Sequence, residues 1–224
     1  MDDLALDGES MKQLLNDLSR VNKWLGGTRI SIDGITKLLN AQSKRETITI
    51  LDVGCGDGEM LRECARYGDR EGFIFQLIGV DANENILNEA KERSKGFQNI
   101  SFKPMDVFSE ELVEIDFDIA LCTLFLHHFS NTEIIQILNK LSVKSKIGVV
   151  VNDLHRSLLA FGLFKLFGIV FLKTPIARHD GLVSIARSFK RKELEQLIRS
   201  STNDVTTIKW KWAFRYQGLL KKTK

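Results

Sequence analysis

Thr47-Ile48-Thr49-Ile50-Leu51-Asp52-Val53-Gly54-Cys55-Gly56-Asp57-Gly58-Glu59-Met60-Leu61 is the stretch whose reading decides the fold. Thr47 to Val53 is β-branched and apolar, as a strand buried on both faces is, and helical spacing resumes at Met60, Leu61, Cys64 and Ala65. Between them stand glycines 54, 56 and 58. They allow a tight turn and remove the Cβ atoms that would hold a ligand off the backbone, so the turn's N–H groups are expected to face outward.

Such a strand, glycine turn and helix is where open α/β sheets bind nucleotides. The charges narrow the choice. Asp52, Asp57 and Glu59 would meet a pyrophosphate with three carboxylates, and the spacing G-x-G-x-G departs from the G-x-G-x-x-G of dinucleotide binding. A ligand carrying positive charge suits the turn better.

With its carboxylates counted, the segment resembles the first motif of class I methyltransferases that use S-adenosylmethionine (SAM). Gln76-Leu77-Ile78-Gly79-Val80-Asp81 is a second strand ending in an acid, and Asn99 to Asp106 a third. Phe117 to Cys122, followed by Leu126-His127-His128-Phe129, is a fourth and is similar to the small-molecule branch related to ubiquinone and menaquinone methyltransferases. The Asn152-Asp153-Leu154-His155-Arg156 and Arg178-His179-Asp180-Gly181 segments resemble methyltransferases found alongside type III polyketide synthases. The resemblance implies Asp52 near the methionine amino group, Gly54 and Gly56 as backbone, Asp81 on the ribose and Asp106 on the adenine. Cys55, Ala82 and Val107 belong to the same cofactor-binding loops.

At 224 residues and 43% hydrophobic content, the chain can bury one sizeable core but not two full α/β domains. Two prolines and no low-complexity tract argue against a long linker. The formal charge of +3 is mild, and the basic residues lack the interleaved aromatics of a single-stranded RNA site, so no nucleic-acid partner is expected. Cys55, Cys64 and Cys122 form no C-x-x-C pair and read as small apolar residues in a reducing, cytoplasmic compartment. The acidic N-terminus lacks the apolar run of a signal peptide.

Ser10-Met11-Lys12-Gln13 reads as a capping box opening an amphipathic helix that Gly26-Gly27 stops, and a shorter helix carries Ile32 to Leu39. Asn83 and Ser130-Asn131-Thr132-Glu133 are further helix starts, and Ile147 to Val151 is the fifth strand. Ser157 to Lys173 is apolar all round, too short to span a bilayer, and is expected to be buried or to cover something apolar. After one more helix, Val205 to Trp210 and Phe214 to Leu220 alternate as a closing antiparallel hairpin.

The expected fold is therefore α/β: a seven-stranded class I methyltransferase sheet with helices on both faces. Residues 1–224 form one domain, with a helical cap over 1–45 and a substrate lid over 154–187. The implied activity is methyl transfer from SAM, with S-adenosylhomocysteine (SAH) as product, to a small hydrophobic acceptor such as an aromatic, polyketide or quinol hydroxyl of secondary metabolism. Carbon methylation of a quinone precursor is the rival, and a non-catalytic RNA- or membrane-binding module, using Lys190 to Lys192 and Lys221 to Lys224, the outsider. Histidine suits the removal of a phenolic proton near neutral pH. His179 beside Asp180 is the first candidate base and His128 the second, with Asn152, His155, Arg156, Arg178 and Asp180 lining the acceptor site. No metal site is expected. Peripheral membrane contact and a monomeric or homodimeric state complete the expectations.

Overall fold

The structure, a computed structural model, describes residues 8–39 and 43–222. The Ser10 side chain and the terminal Thr223-Lys224 lie outside the described residues. In chain order the elements are α1 (Gly8–Trp24), α2 (Gly27–Leu39), β1 (Thr47–Val53), α3 (Glu59–Glu71), β2 (Ile74–Asp81), α4 (Glu84–Arg93) and β3 (Ile100–Pro104). There follow β4 (Ile119–Thr123), α5 (Asn131–Lys144), β5 (Gly148–Leu154), α6 (Leu158–Phe171), α7 (Pro175–Arg187), α8 (Arg191–Ser201), β6 (Val205–Lys211) and β7 (Arg215–Lys221).

The seven strands lie in the order β3-β2-β1-β4-β5-β7-β6. β1 pairs in parallel with β2 and β4, whereas β7 runs antiparallel to both β5 and β6. Strand order reverses beside β1, so the ends of β1 and β4 border a crevice where a ligand can enter. The alternating side chains of β1 feed two cores. Ile48 and Ile50 pack with α2 and α3, while Leu51 and Val53 pack with α5 and α8. Residues such as Leu61 and Leu121 are fully buried there, and truncating one to alanine costs roughly 2–5 kcal/mol.

Local signals account for most element ends. The Asn83 side chain accepts hydrogen bonds from the Asn85 and Ile86 amides, and Ser130 and Glu133 close a reciprocal capping box on α5. Two expectations are corrected. Gly26, with φ +69°, ends α1, but Gly27 does not stop a helix: it is the first residue of α2. The polar run 178–187, read only as site lining, is a helix, started by Pro175 at its first position and by the Thr174 hydroxyl accepting from the Ala177 amide at 3.3 Å.

The helix α6 turns one face to the body of the protein and leaves the other uncovered. Ala160 and Gly168 are its buried residues, whereas Leu158 is 94% exposed and Leu166, Ile169 and Val170 are each more than 60% exposed.

Candidate active site

A cavity of about 470 Å³ opens at the C-terminal edge of β1, β4 and β5. Its walls come from the glycine turn, from α1 through Leu15, Leu18, Val21 and Leu25, and from α6 through Leu163, Phe164 and Phe167. The α7 residues Asp180, Gly181, Ser184 and Ile185 and the β6–β7 turn close it further.

Glycines 54, 56 and 58 all have positive φ, the region only glycine enters freely. A Cβ on Gly54 would also meet the Phe125 ring at 2.2 Å, while one on Gly56 would meet nothing within 4 Å. The turn's amides do not face outward as expected. Gly54 and Cys55 donate to the Val80 carbonyl, Gly56 to Asp81 Oδ2, Gly58 to the Cys55 carbonyl and Glu59 to Asp57 Oδ1. Spent internally, these five donors form no nest of N–H groups for a pyrophosphate.

What the turn offers is negative charge. Asp57 is neutralised by Arg62 and Arg93, at 3.3 and 2.9 Å. Among the described residues Asp52 has no such neighbour: it is 2% exposed, lines the cavity, and burial with the nearby Asp81 carboxylate pushes its carboxyl up to about 8. Burial also raises Glu59, which accepts a 2.9 Å hydrogen bond from the Ser19 hydroxyl of α1. A cation placed here would lower the cost of ionising both acids.

Asp81 ends β2 with its two oxygens on the Gly56 and Asn83 amides at 3.0 Å each. Asp106 lies beyond the end of β3, whose extension is tied to β2 by the Met105 amide on the Asp81 carbonyl, and it accepts from the Phe108 amide. The four strand-end positions 52, 54, 81 and 106 thus follow one another along the sheet edge. Cys55 and Val107 are buried, and Ala82 is exposed beside Asp81.

Around the rest of the cavity lie His127, His128 and His155. His127 Nδ1 is 2.7 Å from Asp153 Oδ1, and both residues are buried. Burial alone would raise Asp153, but His127 and the backbone amides outweigh it and hold the carboxyl below its ordinary value. The His128 ring lies against that of His127 with centroids 4.3 Å apart and is less buried. His155 accepts from Trp210 Nε1 at 3.3 Å, and burial lowers its proton affinity, so it stands neutral. Leu124 and Phe214, bulky residues with φ of 54° and 52°, also line the cavity. Such strain, of order 1–3 kcal/mol each, persists where a site requires it.

The remaining sequence candidates divide. Asp180 lines the cavity, but His179 is exposed on α7 and outside the cavity wall, since one step along a helix turns a side chain by about 100°. Arg178 folds back onto the Leu172 carbonyl, closing the end of α6, and Arg156 binds the Ser188 carbonyl and Glu193. Asn152 is fully buried and ties β5 to α2 through the Gly27 carbonyl and Ser31 hydroxyl. These three hold the frame. Sequence reasoning missed Arg215, which is 1% exposed in the cavity wall with Nε and Nη1 lacking hydrogen-bond partners, and the Asp153–His127 pair.

Residues 50–145, from β1 through α5, match the family model described as a methyltransferase domain. Over that segment the chain is similar to a methyltransferase domain, and its fold is the class I methyltransferase fold. The chain is 33% identical over 97 residues to an uncharacterized methyltransferase of Mycobacterium tuberculosis, covering 42% of this chain and 45% of that protein. It is 27% identical over 166 residues to a ubiquinone biosynthesis O-methyltransferase of Bartonella quintana, covering 73% and 62%. The matched region spans about half the length of the mycobacterial relatives. Among solved structures, a plantazolicin methyltransferase in complex with a triazolic desmethyl analogue and SAH superposes with a TM-score of 0.69 at 18% identity, covering 93% of this chain and 90% of that one. The magnesium protoporphyrin IX methyltransferase of Synechocystis PCC 6803 with bound SAH gives 0.58 at 16%, covering 90% and 87%.

Proposed function

We propose that this chain is a methyltransferase that transfers a methyl group from SAM to a hydroxyl of a small hydrophobic acceptor of aromatic, polyketide or quinol type. One observation carries the reading: a buried carboxyl, Asp52, without a cationic neighbour among the described residues, shares a cavity with an apolar, aromatic wall that holds imidazoles. The turn residues Asp52, Gly54 and Gly56 hold the methionine end of the cofactor, with Asp81 and Asp106 further along the sheet edge for ribose and adenine. SAM supplies a methyl group already bonded to a good leaving group.

The protein has then to align the acceptor and take its proton. Leu163, Phe164 and Phe167 fix the acceptor through apolar contact. His128 takes the hydroxyl proton, because its ring is the less buried of the adjacent pair, while Asp153 engages Nδ1 of His127 behind it. With SAM bound, the acceptor oxygen so aligned would form one bond to the methyl carbon as the carbon–sulfur bond is given up, the electron pair staying on sulfur. The names of a relative that methylates oxygen in ubiquinone biosynthesis and of neighbours solved with SAH support this reading.

Calorimetric titration with SAH on the wild type and on Asp81→Ala tests the cofactor site. Micromolar binding severely weakened by the substitution is expected, and absence of binding to folded wild type would overturn the reading. Phenols and quinols incubated with methyl-labelled SAM then give the product, whose analysis separates oxygen from carbon methylation. His128→Gln should lower turnover by about 10²–10⁴-fold with SAH affinity unchanged.

A further inference from the structure

The α6 helix carries a surface that methyl transfer itself does not require. Leu158, Leu159, Leu166, Ile169 and Val170 are 61–94% exposed, and at about 100° per residue they fall on one outward stripe. Trp24, itself 57% exposed, extends the patch from α1 by packing edge-on against Phe167 and Phe171, at 6.1 and 5.3 Å between ring centroids. Large contiguous apolar patches are rare on proteins that meet only water.

The opposite face of the same helix is the cavity wall. Leu163 belongs to both, being 48% exposed and a lining residue, and Trp212, 69% exposed, stands on the cavity wall as well. Outer patch and inner cavity are therefore separated by the thickness of one helix.

Charge selects what covers the patch. From Ser157 to His179 there is no acidic residue, while Lys165 on α6 and Lys173 just beyond it are exposed, as is Lys23 beside Trp24. A second copy docked on this face by a two-fold axis would bring like charges together. An anionic lipid surface would pair with them, and an apolar helix face with basic and tryptophan margins is the composition that lies in a bilayer interface. No described helix is long and apolar enough to cross a membrane, so the contact is peripheral.

We propose that the outward face of α6, with Trp24, docks on an anionic lipid surface and places the cavity mouth against it, so that a lipid-dissolved acceptor reaches the site without crossing water. The docking rests on the surface alone. Only the direction of acceptor entry rests on the methyl-transfer reading.

Co-sedimentation of the full chain with phosphatidylcholine vesicles, with and without 30 mol% phosphatidylglycerol, tests it, beside the double variant Leu166→Glu/Ile169→Glu. Neither residue lines the cavity. The wild type is expected to pellet with the anionic vesicles, to dissociate partly at about 0.5 M salt, and to bind at least ten-fold more tightly than the variant. SAH titration of the variant shows that its fold and cofactor site are intact, so loss of vesicle binding is read apart from any failure of the methyl-transfer reading. If SAH binding is lost, the milder Leu166→Ser/Ile169→Ser replaces the pair. Wild type left in the supernatant by both vesicle types would overturn the proposal. So would a dimer, seen by light scattering, that the variant dissociates while neither form binds vesicles.

Discussion

Asp52 is an acid that burial and a neighbouring carboxylate keep from ionising in the free protein. Burial and Asp81 hold its carboxyl near 8, so at pH 7 it is mostly protonated in the free protein, although in the unfolded chain it would be ionised. The raised value means that its contribution to stability is fully present below about 4 and is lost as pH rises through about 8. The free protein should therefore lose melting temperature between those limits more steeply than Asp52→Asn, as pH-dependent thermal unfolding would show. If Asp52 holds the ammonium of SAH, as proposed above, binding should pull the value down and release close to one proton at pH 7. Calorimetry in two buffers of different ionisation enthalpy should find that proton for the wild type and not for Asp52→Asn. Arg215 is the converse case: burial lowers it to about 10 despite the attraction of Asp153, so carrying its charge at pH 7 costs stability. Arg215→Met should raise the melting temperature by roughly 2–4 °C, about 1 kcal/mol for a chain of this size. The place of Asp52 at the end of β1 could be read from the sequence, whereas its burial and its approach to Asp81 come from the fold. Arg215 could not be so read, since nothing near it in the chain announces that β7 will carry it beneath α2.

Elements were legible where a local cause fixes them. The β1 turn, the Asn83 cap and the Ser130–Glu133 box are complete within a few residues, and each stands where the pattern puts it. The α6–α7 pair was less legible for two physical reasons. A helix apolar on every side has no preferred face, so the sequence cannot say which stripe is buried. The α7 segment lacks a helical period and carries Gly181 in its middle, which reads as a break. The structure gives that glycine a reason: a Cβ there would meet the Phe164 ring at 2.2 Å. Close approach of α7 to α6, rather than a turn, is its function. Gly181→Ala should then cost about 1–3 kcal/mol, through overpacking offset in part by better helix propensity. The damage should be local: limited proteolysis is expected to quicken within residues 158–187, with SAH binding retained.

Across the molecule, the sheet is a fixed floor and the helices above it must let ligands pass. The cavity is roofed by α1, α6 and α7, which share a small apolar cluster, and a buried carboxylate ties α1 to the α6–α7 connection. Asp17, 1% exposed on α1, accepts hydrogen bonds at Oδ2 from the Lys173 and Thr174 amides and the Thr174 hydroxyl, at 2.9, 2.8 and 3.0 Å. It anchors Lys173 and the helix-capping Thr174 from more than 150 residues away in sequence, which is why no local pattern revealed it. On the other side, Ser19 reaches Glu59 in the β1 turn, so α1 bridges the acidic part of the cavity and the apolar part. A cation beside Glu59 would offset the burial that raises its carboxyl, so cofactor binding at the turn should be felt in α1 through that hydrogen bond. Asp17→Ala removes the link at the cost of buried donors left unmade, about 1–3 kcal/mol for each group that cannot find water. Hydrogen exchange should then quicken in residues 172–178 while the amides of β1, β4 and β5 stay protected. In the wild type, SAH should slow exchange in α1 and in the 172–178 segment together. In Asp17→Ala it should slow exchange in α1 alone, and equal slowing of both in the variant would show that the roof closes without Asp17.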